Sequence, residues 1–269
     1  MFRKVRRVRR LASAALQMKS VWRGYSAWRR SKRWPAHAGA IASPAPQGDL
    51  RKFFENRKDG RGIWKWQHYF DIYERHFSRF RGTAVNLLEI GIYSGGSLDM
   101  WRDYFGPEAR IYGVDIESAC RAYDGGPVKV FIGDQGDRNF WQQFKAQVEQ
   151  VDIVVDDGGH QAEQQIVTFE ELFPYLRPGG VYLCEDLHGV FNRFAGYMYG
   201  FASNLNAQQG STRDLKNQER RSVCTATALQ SAVRAVHFYP FVTVIEKTDA
   251  PIHELVAPKH GTQWEPFIK

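Results

Sequence analysis

From Val85 onward, short apolar runs alternate with segments whose apolar residues recur every three or four positions. Residues 85–90, 110–115, 128–134, 151–156 and 180–186 read as strands, and residues 97–105, 138–148 and 164–176 read as helices. Such alternation predicts a mostly parallel sheet with helices on both faces. Residues 236–239 and 242–246, separated by Pro240 and Phe241, predict a terminal antiparallel hairpin, making seven strands in all.

Two segments precede this pattern. Over residues 64–80, Trp64, Trp66, Tyr69, Phe70, Tyr73, Phe77 and Phe80 follow a loosely helical spacing. They predict a helix that covers one side of the sheet, with a helix that also borders a substrate pocket as the alternative. Residues 1–34 interleave Val5, Val8, Leu11 and Leu16 with a run of arginines, which predicts a basic amphipathic stretch. A membrane-surface segment, an organelle presequence and a disordered basic arm all fit it. Pro35, Gly39, Pro44, Pro46 and Gly48 then mark a linker. The expected organisation is a basic tail and linker over 1–48, a helical cover over 49–84 and an α/β domain over 85–269.

Composition changes this picture in one respect. The chain has 269 residues and a formal charge of +8, but residues 1–48 hold 12 Lys or Arg and no acid. The remainder carries 25 basic and 29 acidic side chains, a net of −4. Basic character thus belongs to the tail, which argues against a nucleic-acid substrate at the folded domain. Cys120, Cys184 and Cys224 are odd in number and far apart, so they suggest neither a disulfide framework nor a zinc cluster. No apolar run reaches the length of a spanning helix, and the expected location is cytoplasmic, with contact to a membrane surface or organelle targeting through the tail left open.

The candidate chemistry lies at the predicted strand ends. Glu89-Ile90-Gly91-Ile92-Tyr93-Ser94-Gly95-Gly96-Ser97 runs from a strand through a glycine-containing turn into a helix. In open α/β sheets such loops border the ligand crevice. The spacing matches neither the dinucleotide fingerprint nor the phosphate loop. Asp115 ends the second strand and can accept two ribose hydroxyls. Asp134 and Gln135 end the third and can meet an adenine amino group.

With these residues the sequence resembles class I methyltransferases that use S-adenosylmethionine, over roughly residues 85–247. The resemblance implies a Rossmann-like α/β sandwich. It also implies that Glu89, Gly91, Tyr93, Ser94, Gly95 and Ser97 face the methionine part of the cofactor, Asp115 the ribose, and Asp134 and Gln135 the adenine.

Asp156-Asp157-Gly158-Gly159-His160 follows the fourth strand and Glu185-Asp186-Leu187-His188 the fifth. Crowded carboxylates repel one another, and a hard divalent cation relieves that cost. Asp157, Glu185 and Asp186 are the candidate ligands. Asp156 is assigned to orienting the loop or the cofactor amino group. Capping is the structural alternative for Asp156 and Asp186. His160 is the candidate general base and Asp157 its catalytic partner, with His188 a second choice.

More narrowly, residues 89–101, 156–160 and 173–187 resemble metal-dependent O-methyltransferases that modify sugars of macrolides, and the related cephalosporin-hydroxylase-like group. That resemblance implies magnesium on Asp157, Glu185 and Asp186, with His160 as base. It implies a glycosylated small-molecule acceptor and a homo-oligomer. Residues 189–213, rich in Phe, Tyr, Asn and Gln, are expected to cover the substrate or to form a packing helix. Other small-molecule or nucleic-acid methylation, a nicotinamide oxidoreductase and a non-catalytic binding protein are the competing functions.

Overall fold

The computed structural model describes residues 24, 26–34, 48–213, 221–258 and 260. Most of the basic amphipathic stretch and the linker lie outside the described residues. The chain divides into two units, residues 1–47 and 48–269. In the first, residues 26–31 are helical. Among the described residues no helix is long and apolar enough to cross a membrane.

The second unit opens with helices α1 (Asp49–Asn56) and α2 (Tyr69–Phe77). Strands β1 (Asn86–Ile90), β2 (Arg110–Asp115), β3 (Val128–Ile132), β4 (Ile153–Asp156) and β5 (Val181–Cys184) follow. They are interleaved with α3 (Gly96–Phe105), α4 (Arg138–Gln147) and α5 (Ala162–Leu172). After α6 (Arg193–Ser203) come β6 (Gln209–Arg213), β7 (Arg221–Thr225), α7 (Ala228–Ala232), β8 (Val233–Tyr239), β9 (Val242–Lys247) and β10 (Glu254–Pro258). The main sheet has the order β3-β2-β1-β4-β5-β9-β8. Its first five strands are parallel, and β9 and β8 join antiparallel. Both the seven strands and the terminal hairpin agree with the sequence pattern. A separate sheet, β10-β7-β6, was not anticipated; its strands are short and lack a sustained apolar alternation.

Strand side chains alternate between two cores, as a period of two requires. Leu87, Ile153, Val155 and Leu183 face the core under α1, α2 and α3. Leu88, Val154, Tyr182 and Cys184 face the core under α4, α5 and α6. Burial of the larger apolar side chains contributes about 1.5–3 kcal/mol each before entropy is subtracted. The predicted helix over 64–80 begins later than expected. Residues 61–66 are irregular and their burial alternates, so Lys65 points inward while Trp64 and Trp66 remain exposed.

The chain order of strands reverses direction between β1 and β4. At that switch point the two carboxyl ends diverge and leave a crevice.

Candidate active site

A cleft of about 760 Å3 opens at the ends of β1, β2, β4 and β5. That size suits a small-molecule ligand. Its walls include Tyr93, Ser97, Asp115, Asp157, His160 and Asp186. The loops after β1 and β4 abut: Asp157 N donates to Ile90 O at 3.0 Å, and Gly91, at φ +82°, leaves no space for a Cβ against Asp157 O. The glycine after β1 is therefore required by the neighbouring loop.

Asp115 organises the same turn. Its Oδ2 accepts from Ile92 N (3.0 Å) and Tyr93 N (3.1 Å), and its Oδ1 accepts from Glu117 N (3.0 Å). A carboxylate has about four lone-pair sites, so Asp115 can still receive a hydroxyl from the cleft. Asp134 also lines the cleft, while its Oδ1 accepts from Gly136 N (2.7 Å) and Gln164 Nε2 (3.3 Å). Ser94 lines it directly; Gly95 packs behind, where a Cβ would meet the Tyr123 ring.

Of the residues expected at the cofactor, Glu89 and Asp156 do not line the cleft, and Gln135 lines it with its amide engaged elsewhere. Glu89 is fully buried; its Oε2 accepts from Ser97 Oγ at 2.6 Å, and its Oε1 faces Lys65 Nζ at 3.6 Å. It acts on the cleft through Ser97 and Lys65, both of which line it. Gln135 borders the cleft, but its amide is spent inside the protein. Nε2 donates to Asp156 Oδ1 (2.9 Å) and Thr168 Oγ1 (3.2 Å), and Oε1 accepts from Gly159 N (2.7 Å). Asp156 is fully buried and accepts from Tyr182 Oη at 2.7 Å. Burial pushes its carboxyl up to about 6, although the bonds from Tyr182 and Gln135 pull the other way. Asp156 and Gln135 thus brace the 156–159 loop, because the pleat turns Asp156 away from the side that Asp157 faces.

The acids form a graded cluster. Ligand atoms of Asp157, His160 and Asp186 lie within 4.8 Å of one another. His160 Nε2 is 3.8 Å from Asp186 Oδ2, and His188 Nε2 is 3.5 Å from Asp186 Oδ1. Glu185, expected in the same set, also lines the cleft, but its carboxylate is engaged by Tyr73 and Lys65. Its Oε1 accepts from Tyr73 Oη at 2.5 Å and its Oε2 from Lys65 Nζ at 3.0 Å. Burial pushes the Glu185 carboxyl up, opposed chiefly by Lys65. Tyr69 Oη donates to Asp186 Oδ1 at 2.6 Å.

Lys65, Tyr69 and Tyr73 were not anticipated as site residues. Lys65 Nζ also donates to Asp157 Oδ2 at 2.6 Å, and its side chain is 4% exposed. Burial opposes its charge, but Asp157 and Glu185 outweigh that cost and hold the ammonium well above its ordinary range. The only signal in the sequence was a lysine between two tryptophans in an otherwise apolar segment. Its meaning depends on acids some hundred residues away.

Three non-glycine residues of the cleft, Tyr93, His160 and Asp186, adopt positive φ of 43°, 54° and 56°. Such conformations cost energy and concentrate where side chains must be aimed. At the cleft mouth Trp66 lies 5.6 Å from the Phe241 ring and 5.9 Å from the His188 ring. Among residues 189–208, none lines the cleft. Within α6, Phe194 and Met198 are buried and Phe201 packs 5.2 Å from Phe169, which is the packing-helix alternative.

Residues 88–187 match the model of a methyltransferase domain family. A rhamnosyl-tetracenomycin-C 3'-O-methyltransferase of Streptomyces olivaceus is 39% identical over 154 residues, covering 54% of this chain and 38% of that protein. A demethylmacrocin O-methyltransferase of Streptomyces fradiae is 40% identical over 157 residues, covering 56% and 38%. The chain thus spans well under half the length of these two relatives. Among solved structures, the MycE methyltransferase of mycinamycin biosynthesis, in complex with Mg and SAH, superposes with a TM-score of 0.59 at 26% identity. The match covers 75% of this chain and 55% of that one. On sequence and on fold, the chain carries a class I methyltransferase domain related to the O-methyltransferases of macrolide and tetracenomycin compounds.

Proposed function

We propose that the protein transfers a methyl group from S-adenosylmethionine to a hydroxyl of a glycosylated small molecule, with a divalent cation such as magnesium at the acid cluster. The observation that carries this reading is one cleft shared by the glycine loop, Asp115 and the Asp157–His160–Asp186 group. The relatives named above act on rhamnosyl-tetracenomycin and demethylmacrocin, and the MycE structure holds Mg and SAH, which supports the same chemistry here.

The donor set fits a hard cation. Asp157 and Asp186 offer carboxylate oxygens with His160 beside them, and Glu185, paired with Lys65, adds negative charge at the cleft wall. Three acids, Glu89, Asp157 and Glu185, face Lys65, and a fourth, Asp186, lies beside them against Tyr69, His160 and His188. That excess favours a divalent ion of the oxygen-seeking class. Asp157 and Asp186 would hold it, and a bound cation makes a coordinated hydroxyl more acidic.

The chain's own residues supply the remainder. Asp115 and the loop it orders seat the nucleoside end of the cofactor. His160, with Asp186 beside its ring, takes the hydroxyl proton as the oxygen attacks the methyl carbon and the sulfur–carbon bond breaks. Exposed Trp64 and Trp66 at the cleft wall offer flat apolar surface to a sugar ring.

The test is a methylation assay on macrolide and rhamnosylated polyketide acceptors, run with magnesium and with chelator. Magnesium-dependent formation of an O-methyl product supports the reading. A folded protein that binds S-adenosylmethionine but methylates none of these with the metal present would move the acceptor to another class. Failure to bind the cofactor would remove the reading altogether.

A further inference from the structure

A second group of metal-ligating side chains lies away from the cleft, where α2 packs on the terminal hairpin. His76 comes from α2, His237 from β8 and Glu246 from β9. One ligand atom from each lies within 4.8 Å of the others. His76 Nδ1 is 2.8 Å from Glu246 Oε1, and His237 Nε2 is 3.9 Å from Glu246 Oε2.

Two features of this group go beyond proximity. First, His237 Nε2 is buried and makes no hydrogen bond, which is costly for an imidazole nitrogen aimed at other polar groups. Second, His76 uses both ring nitrogens: Nε2 lies 2.9 Å from Tyr239 Oη while Nδ1 faces the carboxylate. A ring nitrogen and a carboxylate oxygen at that distance need a proton or a cation between them. With a cation at Nδ1, Nε2–H would donate to Tyr239, the outer-sphere bond that usually orients a ligating histidine.

We propose that His76, His237 and Glu246 form a transition-metal site, for zinc or a similar borderline ion, that clamps α2 to the hairpin. Two histidines and a carboxylate are a common zinc donor set, with room for water at the open position. A tetrahedral zinc with bonds of about 2.0–2.1 Å separates its ligands by about 3.3 Å. The observed 2.8 and 3.9 Å run to the two different oxygens of Glu246, and all three ligand atoms lie within 4.8 Å of one another, so the side chains need to draw together by up to about 1.5 Å to complete the site. Arg75 and Arg79 contribute positive charge to this region. Simple charge attraction is therefore weak, and imidazole nitrogen selects a borderline ion over magnesium or calcium. The helix that the ion would clamp carries Tyr69 and Tyr73, which hold Asp186 and Glu185. The clamp therefore braces one wall of the active cleft without entering it.

The test is calorimetric titration of the full chain with zinc after chelator treatment, repeated with cobalt to read coordination from the visible spectrum. Wild type, His237→Ala, Glu246→Gln and Asp157→Asn are compared. His237 lies on an edge strand and is 35% exposed, so its truncation leaves the core intact. Besides any ion in the cleft, wild type and Asp157→Asn should take up a zinc that His237→Ala and Glu246→Gln bind at least about a hundredfold more weakly, a direct ligand being worth more than an outer-sphere partner. The intense bands of low-coordinate cobalt should disappear in His237→Ala. Equal zinc uptake by wild type and both clamp variants overturns the site. Loss in Asp157→Asn alone places the ion in the cleft and overturns it equally. A wild type without saturable zinc uptake does so directly.

Discussion

Lys65 Nζ stands 2.6 Å from Asp157 Oδ2, joining the irregular segment before α2 to the loop after β4 across 92 positions of sequence. The same ammonium reaches Glu185, so one buried cation holds two acids from neighbouring strand ends. The cleft is thus partly charge-compensated by the protein itself.

Replacing Lys65 with Met should destabilise the protein by about 3–5 kcal/mol, the usual cost of stranding a buried charge. Magnesium should recover part of this loss by taking over the compensation. Urea unfolding with magnesium and with chelator reads the difference. A variant insensitive to magnesium would mean that these acids do not share a cation.

His160→Ala should lower kcat by about 10²–10⁴ while leaving cofactor affinity unchanged, as expected for loss of a general base. Added imidazole should restore part of the rate. Calorimetry and steady-state kinetics on the same preparation separate this outcome from loss of the pocket.

The two glycines Gly91 and Gly189 have similar backbones, at φ +82° and +91°. A Cβ at Gly91 would collide with Asp157 O, whereas one at Gly189 meets nothing within 4 Å. Alanine at Gly189 should cost about 1–2 kcal/mol from backbone strain alone. At Gly91 the cost should exceed about 3 kcal/mol and severely reduce folded yield. Thermal unfolding of the two variants compares strain with strain plus collision.

Asp156 provides a pH test. Its folded carboxyl is raised from 3.8 to about 6, mainly by burial. A raised carboxyl favours the protonated folded state, so its contribution is fully present below about pH 4 and is lost as pH rises through 6. The difference is about 3 kcal/mol at most. Asp156→Asn, whose amide cannot ionise, should gain on wild type by up to this amount between pH 4 and 6. A constant difference across that range would show that Asp156 is not held up.

Trp66→Ala should raise KM for the acceptor about tenfold with little change in kcat or cofactor affinity, since its ring is half exposed at the cleft wall. Unchanged KM would move the acceptor to another wall.

The sheet was legible because its signals are local. An apolar run of four to six residues makes a buried strand wherever it lies, and a turn follows where glycine and aspartate interrupt it. The acids Asp115, Asp157 and Asp186 could be placed at one crevice on that basis, because strand ends in such folds share an edge. Where each acid points could not be read in the same way. Asp156 and Gln135 face inward to brace a loop, and Glu89 lies beneath the one it borders, since the pleat and the neighbouring packing set these directions.

By itself, then, the sequence determined the strand and helix order, the glycine turn after β1 and the presence of acids at adjoining strand ends. Only the tertiary structure decided that Lys65 and Tyr73 grip Glu185, that Tyr69 grips Asp186, and that His76 meets His237 and Glu246. Those pairs are separated by 112 to 170 positions where they cross from α2 or its leading segment to the distant strands. Periodicity reports which side of an element is buried, whereas a charge pair depends on how two distant elements are docked. That docking is set by the packing of Tyr69, Tyr73 and Phe77 into the core, a property of the whole sheet surface and of no single segment.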